Sequence, residues 1–131
     1  MRLEDYLKEN TKNVSFARGS KIVKQGEQAG AAYFIKSGKV GVYTDVDGHE
    51  LLVTKLGEGE IFGEMAILRY DDYTMTVKAE EATELYVITP DLLHGQLKES
   101  PPLIQAIMGM LLDRIHEVNE VLTDHDRINQ S

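Results

Sequence analysis

The spacing of apolar positions changes twice along the chain and divides it into three parts. Residues Leu3 to Lys8 carry apolar side chains at helical spacing, which predicts a short amphipathic helix. From Val14 to Ile88 the apolar residues form short alternating runs, interrupted by turn residues at intervals of roughly 8–12 positions. Many short strands separated by glycine turns indicate a β-sandwich or a barrel-like roll.

After this β region the apolar spacing returns to that of a helix. Thr89 followed by Pro90 predicts a helix start, because a capping hydroxyl precedes a proline at the first helical position. Ser100 followed by Pro101 predicts a second start. Beyond it, apolar residues are separated alternately by four and three positions, as in the a/d seam of a heptad repeat. We call these residues the seam: Ile104, Met108, Leu111, Ile115, Val118 and Leu122.

Two interpretations of the seam are open from the sequence. The helix could pack its apolar side against the β region as a core helix, or it could pair with the same helix of a second chain. An a/d stripe is narrower than the stripe of an ordinary core-facing helix, which favours self-association. We therefore predict a parallel homodimer through this helix.

Length and composition limit the function classes. We expect 131 residues to form a single domain, with a β region at about 14–88 and C-terminal helices at about 90–124. Fourteen basic and 22 acidic residues give a net charge of −8, which argues against nucleic-acid binding. The N-terminus does not resemble a signal peptide, and no apolar run approaches about 18 residues, so we predict no membrane span. The absence of cysteine fits a cytoplasmic protein.

The sequence offers little for metal binding or catalysis. Without cysteine there is no thiolate zinc site and no thiol nucleophile, and the four histidines are scattered along the chain. The run from Asp45 to Gly48 is similar to the start of a calcium loop, but the remaining ligands of such a loop are missing. We interpret that run as a hairpin turn, and we predict no metal site, no catalytic residue and no enzymatic activity.

The segment Gly57–Ala79 is the most informative part of the chain. A loop rich in glycine and glutamate leads into a short helical pattern that begins near Gly63. The first N–H groups of a helix lack internal partners, so such a junction can hold an anion. Glu64 beside it suits two vicinal hydroxyls such as those of a ribose. Alternatively, Glu64 only complements the helix dipole and caps the turn.

The order of the strands, the run Tyr33-Phe34-Ile35 before Ser37-Gly38, the run from Phe62 to Ala66 and the closing helix together resemble the cyclic nucleotide-binding domain. The resemblance implies a double-stranded β-helix, or jelly roll, with a short N-terminal helix and a long C-terminal helix. It also implies a phosphate-binding cassette within Gly57–Ala79, which we call the cassette segment. In that family a cassette glutamate takes the ribose 2′-hydroxyl, and an arginine pairs with the cyclic phosphate.

Comparison with the family's cassette, residue by residue, shows agreement in the first part of the segment and a difference at the phosphate-binding position. The opening residues and the small residue at position 66 match the family, whereas Tyr73 stands where the phosphate arginine belongs. We expect Tyr73 to be a partly exposed aromatic that fills the vacated space, or else to stack on a planar ligand. Arg69 or Lys78 would have to replace the missing charge. The candidate ligand-binding residues are Phe62, Gly63, Glu64, Met65, Ala66, Tyr73, Thr74 and Thr76.

The resemblance leaves two functional hypotheses. The first is a non-enzymatic regulatory module that senses a cyclic nucleotide, cAMP or cGMP, weakly or in a modified manner. The alternative is a degenerate domain that binds no cyclic nucleotide and acts through homodimerisation or protein contacts. A transcription activator would need a DNA-binding domain, so we do not expect residues 1–131 to act as one alone.

Overall fold

Two four-stranded antiparallel sheets form the body of the protein in the computed structural model, which describes residues 2–115. The strands are β1 (Lys12–Phe16), β2 (Lys21–Val23), β3 (Ala32–Ser37), β4 (Val40–Val46), β5 (His49–Leu56), β6 (Ile61–Phe62), β7 (Thr76–Ala79) and β8 (Thr83–Ile88). The helices are α1 (Leu3–Asn10), α2 (Glu64–Leu68), α3 (Pro90–Glu99) and α4, which is helical over residues 102–115 and reaches the end of the described range.

The strand order shows how the chain winds between the two sheets. One sheet has the order β1-β8-β3-β6 and the other has the order β2-β7-β4-β5. Apart from the β4–β5 hairpin, each strand belongs to a different sheet from the strand before it. The predicted jelly roll with flanking helices is therefore confirmed, and the cassette segment contains β6 of one sheet, the helix α2 and β7 of the other sheet.

The main core lies between the sheets and draws on both of them. Alternation along each strand directs apolar side chains to this interior, and Ile35, Val40 and Leu85 have no exposed surface. Full burial of one such side chain contributes about 1.5–3 kcal/mol. The buried members are Val23, Ile35, Val40, Val42, Phe62, Ala66, Tyr73, Val77 and Leu85.

A second apolar cluster joins the helices to the sheet that contains β3 and β8. It includes Leu7 of α1, Phe34 of β3 and Ile67 of α2. Leu92 and Leu93, in the first turn of α3, pack against the same cluster. The short helix of the cassette segment and the start of α3 thus share one apolar environment.

The predicted helix boundaries are largely confirmed. The first helix extends two residues beyond the predicted Lys8. The next begins at Pro90, as its sequence indicates, and the Thr89 hydroxyl accepts a hydrogen bond from the Leu92 N–H at 3.2 Å, as a cap does. Another helix follows Pro101. None of the helices over residues 2–115 is long and apolar enough to cross a membrane.

The chain divides into two compact units between Leu93 and His94. In the second unit, the helix α4 exposes a large share of its apolar side chains. Of the predicted seam, Ile104 is 47% exposed, Leu111 46% and Ile115 43%, whereas Met108 is half-buried. Val118 and Leu122 lie outside the described residues. The single-domain expectation remains a prediction.

Gly38 in the β3–β4 turn offers a test of this packing. Its φ is +99°, and an added Cβ would lie 2.5 Å from the Thr83 hydroxyl oxygen and 2.6 Å from the Ala82 carbonyl oxygen. Gly48 is a matched control, since its φ is +82° and nothing lies within 4 Å of its added Cβ. We expect Gly48→Ala to cost about 1–2 kcal/mol from backbone strain. Gly38→Ala should cost about 1–3 kcal/mol more because of the clash. Urea unfolding measures both, and equal losses would contradict this account of the turn.

Candidate functional site

A cavity of about 280 Å³ lies within the first unit, bounded by strands of both sheets and by the cassette segment. Its volume is near the lower end of the range of roughly 300–1,000 Å³ found for ligand pockets. Most of the wall is apolar. The lining residues are Val23, Val42, Thr54, Leu56, Ile61, Phe62, Gly63, Glu64, Met65, Ala66, Tyr73, Thr74, Met75 and Val77.

The helix α2 forms one wall of this cavity and has two different sides. Gly63 precedes the helix with φ of +82°, and Glu64 occupies its first position. Ala66 is buried and lines the cavity, whereas Ile67 is buried in the second apolar cluster. A change in the position of α2 would therefore alter both the shape of the cavity and the packing of the cluster that contains the start of α3.

Tyr73 is a buried residue that ties the cassette segment to the start of β3. Its hydroxyl donates to the Ala31 carbonyl oxygen at 2.5 Å and accepts from the Ala31 N–H at 3.1 Å. Its own backbone N–H donates to the Glu27 carbonyl, and its carbonyl accepts from the Gly26 N–H. Only 9% of the residue is exposed, so the expected partial exposure is corrected. The aromatic ring fills space in the core, as one interpretation of the sequence predicts.

The basic side chains nearest in sequence are engaged away from the cavity. Arg69 pairs with Asp71 at 3.3 Å. Lys78 bonds to Glu50, and this hydrogen bond is the main reason why the pKa of the Glu50 carboxyl lies below its usual value. On β7 it is Val77 that lines the cavity, and Lys78 lies on the opposite face. Among the described lining residues, none is lysine, arginine or histidine.

Seven of the eight predicted ligand-binding residues line the cavity: Phe62, Gly63, Glu64, Met65, Ala66, Tyr73 and Thr74. Thr76 is not in the lining. It is buried, and its hydroxyl oxygen accepts a hydrogen bond from the Gln25 N–H at 3.0 Å. Alternation along β7 explains the difference, because Val77 faces the cavity and its neighbour Thr76 therefore faces away from it.

Sequence reasoning missed the wall residues that come from distant strands, Val23, Val42, Thr54 and Leu56, together with Ile61, Met75 and Val77 of the cassette segment itself. Strand alternation would have suggested Val77 once one residue of β7 was known to face the site, whereas Met75 precedes the strand. The residues of the distant strands reach the wall through strand pairing that the sequence does not reveal.

The cavity wall contains polar side chains that can form hydrogen bonds with a ligand. Glu64 is half-buried in the wall, and Thr54 and Thr74 add hydroxyls. Behind the wall, the ring of Tyr33 stacks on Phe62 with a centroid distance of 5.3 Å. Burial, and secondarily Tyr73, raises the pKa of Tyr33 above its usual value. The arrangement can hold a small, mainly apolar molecule whose donors bond to Glu64.

Known proteins share this sequence pattern and this architecture. The family model of the cyclic nucleotide-binding domain matches residues 13–100. A CRP-like cAMP-activated global transcriptional regulator from Mycobacterium tuberculosis is 31% identical over 114 residues, covering 85% of this chain and 50% of that protein. The cAMP-dependent protein kinase type II regulatory subunit of Drosophila melanogaster is 38% identical over 65 residues, covering 50% of this chain and 17% of that protein.

Solved structures agree with the sequence matches. The catabolite activator protein of Thermus thermophilus superimposes with a TM-score of 0.71 at 28% identity, covering 95% of this chain and 59% of that one. An EAL enzyme in its cAMP-bound form gives 0.74 at 29% identity, covering 91% of this chain and 32% of that one. The chain spans half or less of the length of the two curated relatives above. With its β-roll, its cavity and a family match over most of its length, the chain belongs to the cyclic nucleotide-binding domain family.

Proposed function

We propose that this chain is a non-enzymatic regulatory module whose cavity senses a small ligand and binds cAMP or cGMP weakly or in a modified manner. The observation that carries the proposal is the position of α2. Ala66 borders the cavity, and Ile67, the next residue, belongs to the cluster against which Leu92 and Leu93 of α3 pack. A ligand that displaces α2 would therefore alter the packing at the start of α3. The matches to regulators, including a kinase regulatory subunit, support the same class.

The low affinity that we expect for cyclic nucleotides follows from the absence of the arginine that pairs with the cyclic phosphate in the family. A hydrogen bond to a charged group contributes about 1.5–3 kcal/mol, and arginine makes two of them to a phosphate. Loss of one such contribution lowers affinity roughly tenfold to more than a hundredfold. The acidic residues Glu58, Glu60, Glu64, Asp71 and Asp72 add repulsion, and the intervening Arg69 is paired with one of them.

Calorimetry combined with hydrogen exchange tests the proposal. We expect cAMP and cGMP to give heat that saturates only toward millimolar concentrations, and the bound state to change amide exchange at Leu92 and Leu93. In Ile67→Val the cluster loses a methylene while the cavity wall keeps Ala66, at a stability cost of about 0.5–1.5 kcal/mol. This variant should bind with nearly unchanged affinity but transmit a smaller exchange change to α3.

Three outcomes of these measurements lead to different conclusions. Saturation in the micromolar range would contradict weak binding. Binding that leaves the exchange of α3 unchanged would contradict the regulatory route through Ile67. No heat and no exchange change up to millimolar ligand would instead favour the alternative, a degenerate domain that acts through protein contacts.

A second candidate activity is homodimerisation through α4, and a specific observation favours it. Six large apolar side chains of this helix are at least 43% exposed: Leu103, Ile104, Ile107, Met110, Leu111 and Ile115. Contiguous exposed apolar surface marks interaction sites. Three of the six, Ile104, Leu111 and Ile115, belong to the seam, whose a/d spacing matches a second copy of the same helix. This activity is compatible with ligand sensing and would also serve the degenerate alternative.

A further inference from the structure

The charges around the cavity differ from those that a phosphate requires. We propose that the preferred ligand of this cavity is an uncharged molecule of nucleoside size, with a planar ring and a vicinal diol, rather than a phosphate-bearing one. The inference rests on the proposed function, because it names the ligand class of the same cavity.

The described lining of this cavity contains no basic group that would attract an anion. The described lining contains the carboxylate of Glu64 and no lysine, arginine or histidine. Arg69 is paired with Asp71, and Lys78 bonds to Glu50 on the opposite face of β7. A phosphate entering the cavity would meet a carboxylate and lose its hydration without gaining a counter-charge, which is unfavourable.

Tyr73 does not supply the missing donor. A phenol has one hydrogen to donate, and the Tyr73 hydroxyl gives it to the Ala31 carbonyl oxygen. The same oxygen accepts the Ala31 N–H. To reach a phosphate, the hydroxyl would have to break a buried bond and leave the carbonyl unsatisfied. The position at which the family holds a phosphate therefore offers an anion neither a charge nor a free O–H.

The groups that remain suit an uncharged diol. An ionised carboxylate only accepts hydrogen bonds, so Glu64 matches a pair of hydroxyl donors. Apolar side chains such as Val42, Leu56 and Val77 form the wall and fit a planar ring. The volume of about 280 Å³ favours a small ligand. A nucleoside combines the ring and the diol without the phosphate.

Calorimetry of the full chain with adenosine and cAMP, at low and at high salt, tests the inference directly. We expect adenosine to bind at least tenfold more tightly than cAMP. Added salt should tighten cAMP binding by screening the repulsion and leave adenosine binding nearly unchanged. Removal of the diol in 2′-deoxyadenosine should weaken binding roughly tenfold or more, because a hydrogen bond to a charged acceptor is lost.

The variant Glu64→Gln separates the carboxylate from the general acidity of the segment. It keeps the shape of the side chain, so adenosine should weaken because both of its hydroxyls lose a charged acceptor. The affinity for cAMP, which has only its 2′-hydroxyl to lose and is relieved of repulsion, should change less, and the preference between the two ligands should fall to less than threefold. Glu58→Gln is the matched control, since it removes one negative charge from the same segment at an exposed position outside the lining. It should leave the preference nearly unchanged. Circular dichroism should be used to check that both variants fold.

The outcomes separate this inference from the function on which it rests. If cAMP binds as tightly as adenosine or more tightly, the inference is wrong and the ligand-sensing proposal stands. If neither molecule binds up to millimolar concentration, both are wrong. An adenosine preference that survives unchanged in Glu64→Gln would also overturn the inference, because the preference would not come from the carboxylate.

Discussion

Replacing Tyr73 with arginine should raise the affinity for cAMP at least tenfold and should lower the stability of the ligand-free protein. The cassette glutamate, the small residue at Ala66 and the cavity are already in place, and the missing element is the cation. A guanidinium at this position would make a bidentate, charge-assisted contact with the cyclic phosphate. Such contacts contribute about 1.5–3 kcal/mol each, so a gain of roughly one to two orders of magnitude is expected.

The same substitution has a structural cost. It removes the two hydrogen bonds between the Tyr73 hydroxyl and the backbone of Ala31, and it places a charge where only 9% of the native residue is exposed. An unpaired buried charge costs about 3–5 kcal/mol. Saturating cAMP should restore part of the loss, about 2.7 kcal/mol at a concentration one hundred times the dissociation constant. Thermal unfolding with and without cAMP measures both effects.

Tyr73→Phe is the matched control, because it removes the hydroxyl and adds no charge. It should lose about 1–3 kcal/mol by leaving the Ala31 groups unsatisfied, and it should gain no affinity for cAMP. If folded Tyr73→Arg binds cAMP no more tightly than the native protein, then the lack of a cation is not what limits binding. A gain in Tyr73→Phe equal to that in Tyr73→Arg would instead show that the tyrosine hydroxyl blocks the cavity.

The β-roll could be predicted from the sequence because its signals are local. Alternation and glycine turns identify the strands one by one, and Thr89 before Pro90 marks the start of α3 without reference to any distant residue. The run from Phe62 to Ala66 was assigned to the site by its resemblance to the family's cassette, and that resemblance could be seen because the run is contiguous in the sequence. Each of these signals lies within a few residues of the feature that it predicts.

The rest of the site depends on pairing that the sequence does not encode locally. Thr54 and Leu56 reach the cavity because β5 pairs with β4, with Val42 opposite Thr54 and Val40 opposite Leu56. The register shifts between Val42 and Tyr43, so alternation along β5 cannot be continued across this point. Likewise, the hydroxyl of Tyr73 is satisfied by Ala31, 42 positions away in the sequence.

The strand β5 shows that an apolar run in the sequence does not predict burial at the edge of a sheet. Leu51, Leu52 and Val53 form an apolar run, yet each of them is about half exposed. The strand pairs only with β4 and lies at the end of its sheet. A run of apolar residues thus predicts the strand correctly, while its burial depends on whether a neighbouring element covers it.

Replacing Leu111 with glutamate should convert the proposed homodimer into monomers. Leu111 lies in the middle of the seam and is 46% exposed, as expected for a side chain that a partner would cover. In a two-fold symmetric pair the substitution occurs twice. Because each leucine is about half exposed, its burial in the dimer contributes about 0.7–1.5 kcal/mol, and loss of both weakens association roughly tenfold to a hundredfold. Two facing carboxylates would weaken it further.

Analytical ultracentrifugation of Leu111→Glu beside Ala106→Glu distinguishes a specific seam from a general effect of charge on α4. Ala106 is exposed, and at 3.6 residues per turn it lies on the opposite side of the helix from Leu111. It should therefore accept the same charge without loss of the dimer. An unchanged mass for Leu111→Glu would refute helix pairing through the seam, and monomers in both variants would refute the a/d register. If only Leu111→Glu dissociates while its affinity for ligand is retained, then α4 acts in association and the β-roll alone holds the ligand.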